Sequence, residues 1–306
     1  MKTRSVRNYL VTASALAGVF SLTKSFAATD YITPSNLQGW TLNSFDDNGT
    51  IVNSGPFDGM AAIVTGADSP QGPLPVPPDS IGSVHLATPA PSAAPDPSSP
   101  GAGGAEAVAT DNLDGTLVGT ITSLNYWAYM TSNGPENNQQ FPYLALSVNT
   151  GAVDLSGDLG ATANQSDTLF FEPPYQTPGA GNASLPNQGA TVLGQWQQWN
   201  ALEGGWWDND SLAGMVYGGG EGDVQSLQTY LSDYPDAFLT YGGYPGLGGI
   251  AMQVGFADST SQFDGNVQDL TIGIGGVNTT YAFVPEPASF SLVGVGAALL
   301  MRRRRA

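Results

Sequence analysis

The chain has no cysteine and a single histidine, His85, and between residues 28 and 301 it has neither lysine nor arginine. All eight basic residues lie at the ends: Lys2, Arg4, Arg7 and Lys24, then Arg302, Arg303, Arg304 and Arg305. All 26 Asp and Glu fall between them, inside a chain of 306 residues with net charge −18. Each absence excludes something. Without cysteine there is no disulfide, thiolate nucleophile or thiolate metal site. Without lysine or arginine the middle of the chain makes no Lys or Arg salt bridge and offers no cation to a phosphate, which excludes nucleic acid as a partner. Sulfated or uronic glycans are repelled for the same reason unless divalent cations bridge them. His85 has no second imidazole with which to build a zinc site or an imidazole-based triad, and is assigned no role. The fold has to rest on apolar burial and hydrogen bonds.

The two ends read as targeting segments. Lys2, Arg4 and Arg7 form a basic start, Tyr9 to Leu22 an apolar core, and Ser25-Phe26-Ala27 a small-residue cleavage site. This is the pattern of a secretory signal peptide over residues 1–27, cut after Ala27 by the secretion machinery. At the other end, Pro285-Glu286-Pro287 precedes an apolar run of 14 residues, Ala288 to Met301, and then Arg302 to Arg305. As a helix that run spans about 21 Å at 1.5 Å per residue. It is short for a hydrocarbon core of about 30 Å, which suits a temporary hold. The prolines keep the tripeptide extended, and the arginines stay on the cytoplasmic side.

This order resembles the PEP-CTERM sorting signal of bacterial surface proteins, over residues 284–306. The resemblance implies an exosortase, a membrane protease-transpeptidase that cuts near the tripeptide. It also implies an exported protein, transiently anchored in the inner membrane through residues 288–301 and then passed to the cell surface or extracellular matrix. It leaves the work of the cargo open.

Residues 28–283 are large enough for one domain that stands on its own core. With 40 glycines and 22 prolines, and few residues of the Lys, Arg and Glu kind, the composition favours strands and turns over helices. Period-2 alternation marks strands at Leu124-Tyr126-Ala128-Met130, at Leu144-Leu146-Val148 and at Ile250-Met252-Val254-Phe256. Further strands are expected at Trp40–Leu42, Ile51–Val52, Ala61–Thr65, Ser83–Ala87, Thr168–Glu172, Val267–Ile274 and Tyr281–Phe283. Residues 88–104 are rich in Pro, Ser, Ala and Gly and read as a surface loop. One soluble helix is expected near residues 223–232, capped by Asp223 and followed by Pro235. The predicted class is all-β, an antiparallel β-sandwich of jelly-roll type.

Several stretches carry a second resemblance. They are Asp114-Gly115-Thr116-Leu117, Leu124-Asn125-Tyr126, Pro142-Tyr143-Leu144, Leu169-Phe170-Phe171-Glu172-Pro173, Trp196 to Leu202 with Gly205-Trp206-Trp207, Gly248-Gly249-Ile250, and Gly265 to Gly273. Together they resemble a secreted bacterial module with a concanavalin A-like, laminin G-like sandwich. That resemblance implies fold and extracellular context and no particular activity.

Three chemistries are weighed. Trp196, Trp199, Trp206 and Trp207 lie within 12 residues, and an exposed indole stacks on sugars, so a neutral extracellular polysaccharide is a candidate partner. The competing reading is that these rings are core. Glu172, Glu203, Asp208 and Asp210 lie near aromatics, and paired carboxylates are what a glycoside hydrolase uses. With 26 acids in the chain, chance neighbours are expected. Asp111 and Asp114, like Asp46-Asp47-Asn48-Gly49, offer oxygens to Ca²⁺, but Asx-Gly turns need no metal. The reading preferred from sequence is a non-enzymatic, exported and sorted protein with no required cofactor. A lectin-like module comes second and a glycoside-active enzyme third.

Overall fold

A computed structural model describes residues 27–45, 51, 60–65, 69–70, 72, 75–78, 81–88, 104–132, 140–155, 165–179, 183–208, 224–241, 248–255 and 262–285. The chain forms β1 (Ala28–Ile32), β2 (Trp40–Phe45), β3 (Met60–Thr65), β4 (Gly82–Ala87), β5 (Ala105–Thr110), β6 (Ile121–Ser132), β7 (Tyr143–Asn149) and β8 (Ser166–Phe171). It continues through β9 (Gln197–Asn200), β10 (Gly205–Asp208), β11 (Gln225–Ser226), helix α1 (Leu227–Asp233), β12 (Phe238–Leu239), β13 (Ile250–Gly255), β14 (Asp264–Ile274) and β15 (Val277–Phe283). Among the described residues no helix is long and apolar enough to cross a membrane; Ala288–Met301 and residues 1–26 lie outside them.

The strands make two sheets. One has seven strands, with β1, β15, β14, β4 and β3 in order, β6 attached to β14 and β9 attached to β6. The other has eight, running β11, β10, β8, β7, β13, β5, β2, with β12 attached to β7. Their inner faces share one core. Leu124, Tyr126, Ala128 and Met130 of β6 meet Leu144, Leu146 and Val148 of β7 and Ile250, Met252 and Val254 of β13. The alternation in the sequence thus marks the residues between the sheets. Trp40 of β2 reaches across and packs edge-on against Tyr281 and Phe283 of β15, with ring centroids 5.3 and 5.2 Å apart.

β14 is the hub. β6 lies along one of its edges from Asp264 to Ile274, so its other partners share the opposite edge. There β4 pairs with Asp264–Val267 and β15 with Leu270–Ile274. At the handover the register slips between Gln268 and Thr271, and Asp269 takes a φ of 50°. This is a β-bulge. The Gln268 side chain fills the break: Nε2 donates to the Gly82 and Phe283 carbonyls, at 2.7 and 2.9 Å, and Oε1 accepts from the Phe283 N–H at 2.7 Å. Three other glutamines act the same way, each donating to and accepting from the backbone of one residue. Gln176 does so for Gly205, Gln188 for Asn200 and Gln140 for Gly255.

Two local expectations change. The helix starts at Leu227, with Ser226 Oγ accepting the Thr229 N–H at 3.1 Å; Ser226, not Asp223, is the cap, and Asp223 lies outside the described residues. Pairing of Gln225 and Ser226 with Trp206 and Gly205 holds that stretch extended and delays the helix. β5 lacked a strand signal because Ala105-Glu106-Ala107-Val108-Ala109 is poor in β-branched residues. It is nonetheless buried on both faces between β13 and β2.

Gln268→Ala removes the hydrogen bonds to Gly82 and Phe283 and that from the Asp269 N–H in a buried site, and should lower the unfolding free energy by about 3 kcal/mol. Gln268→Glu should not restore it, because a carboxylate has no N–H for the two carbonyls. Urea unfolding of the exported protein measures both.

Candidate functional site

The C-terminal exit from the sandwich is held by pairing, burial and close packing together. β15 runs between β14 and β1, and the chain leaves it at Val284. β1 lies parallel to β15, with Ala28 opposite Thr279 and Ile32 opposite Phe283. The pairing continues one residue further, where the Val284 N–H donates to the Ile32 carbonyl at 2.9 Å. Phe283 is fully buried and Val284 is 5% exposed. Pro285 then sits against Gly82, the first residue of β4. A Cβ there would run into the Pro285 ring and come within 2.9 Å of the Phe283 carbonyl. Gly82 is needed for this close approach. Ala27, the expected signal-cleavage residue, is exposed just ahead of β1. Glu286, Pro287 and Arg302 to Arg305 lie outside the described residues.

The tryptophan block resolves mostly into core. Trp199 and Trp206 are fully buried between the sheets, and the Trp206 indole N–H donates to the Ala201 carbonyl at 2.8 Å. Trp196, 2% exposed, packs on Tyr129 and donates to the Pro70 carbonyl at 2.9 Å. A sugar groove lined by all four rings is therefore not formed; hydrophobic burial takes these three. Trp207 points the other way because neighbours on a strand alternate. It stacks on Phe170 with centroids 4.6 Å apart and remains partly exposed.

Trp207 begins a row across the outer face of the eight-stranded sheet. Phe170, Ala145, Ala251, Ala109 and Thr41 follow it in register. A second row holds Tyr143, Gln253, Ala107 and Asn43. Gln253 is fully buried, and neither its amide nitrogen nor its oxygen has a hydrogen-bond partner; the Trp207 indole N–H also lacks one.

The carboxylates near the aromatics occupy different settings. Glu203 is exposed in the turn between β9 and β10. Asp208 is buried on the inner face of β10, and Asp210 lies outside the described residues. On neighbouring β8 the buried Asp167 accepts the Tyr230 hydroxyl at 2.9 Å. Burial and then the Asp167 charge push the Tyr230 phenol far above its usual range. Glu172 follows β8, and burial pushes its carboxyl up to about 7.

Sequence reasoning missed Glu106. It faces the core from β5, fully buried, with Oε2 accepting the Ser44 hydroxyl at 2.7 Å and Oε1 without a partner. Burial pushes it up to about 8, against the opposing effect of the Ser44 bond. An alternating strand would have placed an apolar residue there, and the sequence has an acid.

Asp111 and Asp114 lie in a hydrogen-bonded turn. The Asp114 N–H donates to the Asp111 carbonyl at 2.9 Å, and Asp114 Oδ1 accepts the Gly249 N–H at 3.2 Å. Among the described residues no cluster of three or more His, Cys, Asp or Glu is placed to hold a metal. Asp46 and Asp47 lie outside them. His85 Nε2 meets Asp264 Oδ1 at 3.0 Å across β4 and β14, a partly exposed pair of small energetic weight.

The described chain is thus a two-sheet, sandwich-like β domain whose last strand runs directly into a C-terminal signal. Residues 283–305 match the family model of the PEP-CTERM protein-sorting motif. That motif marks the protein as sorted to the cell surface and implies processing by an exosortase, a membrane enzyme. No curated protein matches the chain.

The raised carboxyls make stability depend on pH in a defined direction. Glu106 and Glu172 bind protons more tightly folded than unfolded, so the stability they contribute is complete below about pH 4.5. It is lost as pH rises toward about 7 for Glu172 and about 8 for Glu106. The thermal midpoint should fall as pH rises from about 5 to about 8, and Glu106→Gln should flatten the upper part of that fall. A midpoint that rises over the same interval would count against these assignments.

Proposed function

We propose that this is a non-enzymatic exported protein, displayed as a jelly-roll, concanavalin A-like sandwich at the cell surface or in the extracellular matrix. A signal peptide ending at Ala27 carries it out, and residues 288–301 hold it in the inner membrane with Arg302 to Arg305 inside. An exosortase cuts near Pro285-Glu286-Pro287. That cut breaks one peptide bond: the acyl half passes to water or to an acceptor nucleophile, and the tail leaves with a new amino terminus. The observation that carries this reading is the sorting motif itself, at the end of a chain whose acidic domain has no Lys or Arg.

Replacing Pro285, Glu286 and Pro287 by alanine should let helix extend backward from residue 288 and block processing. The protein should then accumulate in membranes with its tail intact. Intact mass of surface protein, from a host with its sorting enzyme, decides the point. A wild-type surface form that still ends in Arg302 to Arg305 would make the tail a plain anchor.

The second reading, binding of a neutral polysaccharide, is favoured by one observation. Trp207 stays partly exposed on the face that carries the unpartnered amide of Gln253. In this reading Trp207, rather than the buried Trp196, Trp199 and Trp206, stacks on the sugar. Glycan-array binding reduced about tenfold by Trp207→Ala would support it, at about 1.4 kcal/mol per tenfold. No binding to any neutral glycan would remove it.

A further inference from the structure

The family match and the folded domain overlap. The motif match begins at Phe283, and Phe283 is also the last residue of β15. Phe283 and Val284 are buried, so no slack chain separates the sandwich from Pro285. An enzyme that cuts a peptide commonly takes the residues before the cut as an extended strand, through their backbone N–H and C=O groups. In this fold those groups are already engaged. Gln268 holds both backbone groups of Phe283, and Ile32 holds the N–H of Val284.

β15 has two edges, and they differ in how easily they open. The β14 edge lies inside the sheet and anchors the hub. Among the described residues the other is covered only by β1, a five-residue strand at the end of the sheet. β1 is paired in parallel, the less stable arrangement per residue, and three of its residues are exposed. It is also the first stretch after the expected signal cleavage at Ala27.

We propose that β1 is a removable strap over the edge of β15. It keeps the segment leading into the sorting tripeptide closed, and the processing enzyme's own substrate-binding strand docks on β15 once β1 lifts. The proposal rests on the sorting reading above and adds to it a closed state of the substrate. Gly82, Gln268 and Ile32 are then positioning residues: they seat Phe283, Val284 and Pro285 and do not touch the reacting bond. Cleavage proceeds in proportion to the population of the opened form.

The test uses the full-length chain in a host with its exosortase, with tail loss followed over time by intact mass. A six-residue Gly-Ser spacer between Val284 and Pro285 leaves the sheet alone and gives the tripeptide a free upstream flank. It should speed tail removal about tenfold, since cleavage no longer waits for opening. The same spacer form with Pro285, Glu286 and Pro287 changed to alanine should keep its tail, showing that one motif is read throughout. Asp30→Pro gives a second variant. Asp30 lies two residues before Ile32, so its N–H points the same way, toward β15. Its loss should speed tail removal too, with faster hydrogen exchange at the Val284 amide. A spacer form trimmed no faster than wild type overturns the proposal, whatever Asp30→Pro does. If wild type keeps its tail while the spacer form loses it, the natural junction is not processed, and the sorting reading falls together with the strap that rests on it. If neither form is trimmed, the sorting reading falls and the strap with it.

Discussion

Everything in this sandwich depends on satisfying buried backbone groups without cationic side chains. Between residues 28 and 301 there is no lysine or arginine to reach over an unpaired carbonyl. Neutral amides take that role. A glutamine side chain offers one acceptor and two donors, so it can pair with a single residue's N–H and C=O as a neighbouring strand would. Gln140, Gln176, Gln188 and Gln268 all do this where the strands alone leave a gap. Neutral pairing avoids the desolvation penalty of a buried charge, which a polyanion with no counter-cations could not offset.

The same constraint explains why Glu106 and Glu172 keep their protons to higher pH than a free carboxyl. Glu106 faces the core with one hydroxyl donor and no positive partner, so burial raises its proton affinity. Asp167 and Tyr230 show the alternative, a carboxyl satisfied by a buried phenol.

The junction on β14 connects these packing rules to sorting. A bulge passes one edge from β4 to β15, and Gln268 closes the break. Phe283 and Pro285 are set by that closure, with Gly82 making room. The fold therefore fixes how the C-terminal signal begins. Trp40, packed on Tyr281 and Phe283, ties the other sheet to the same corner.

Part of this was determined by the sequence alone, because the signals are local. The β class, the inward residues of β6, β7 and β13, and the C-terminal sorting pattern follow from alternation, composition and spacing. Other features depend on residues far apart in the chain. Nothing near Gln268 indicates that it serves Gly82 and Phe283, and nothing near Gly82 indicates that Pro285 fills the space beside it. The alanine-rich β5 became an interior strand only because β13 and β2 flank it. The four clustered tryptophans were indistinguishable by composition. Which way each points depends on strand phase and on what lies across the sheet, so tertiary packing alone sent Trp199 and Trp206 into the core and left Trp207 facing outward.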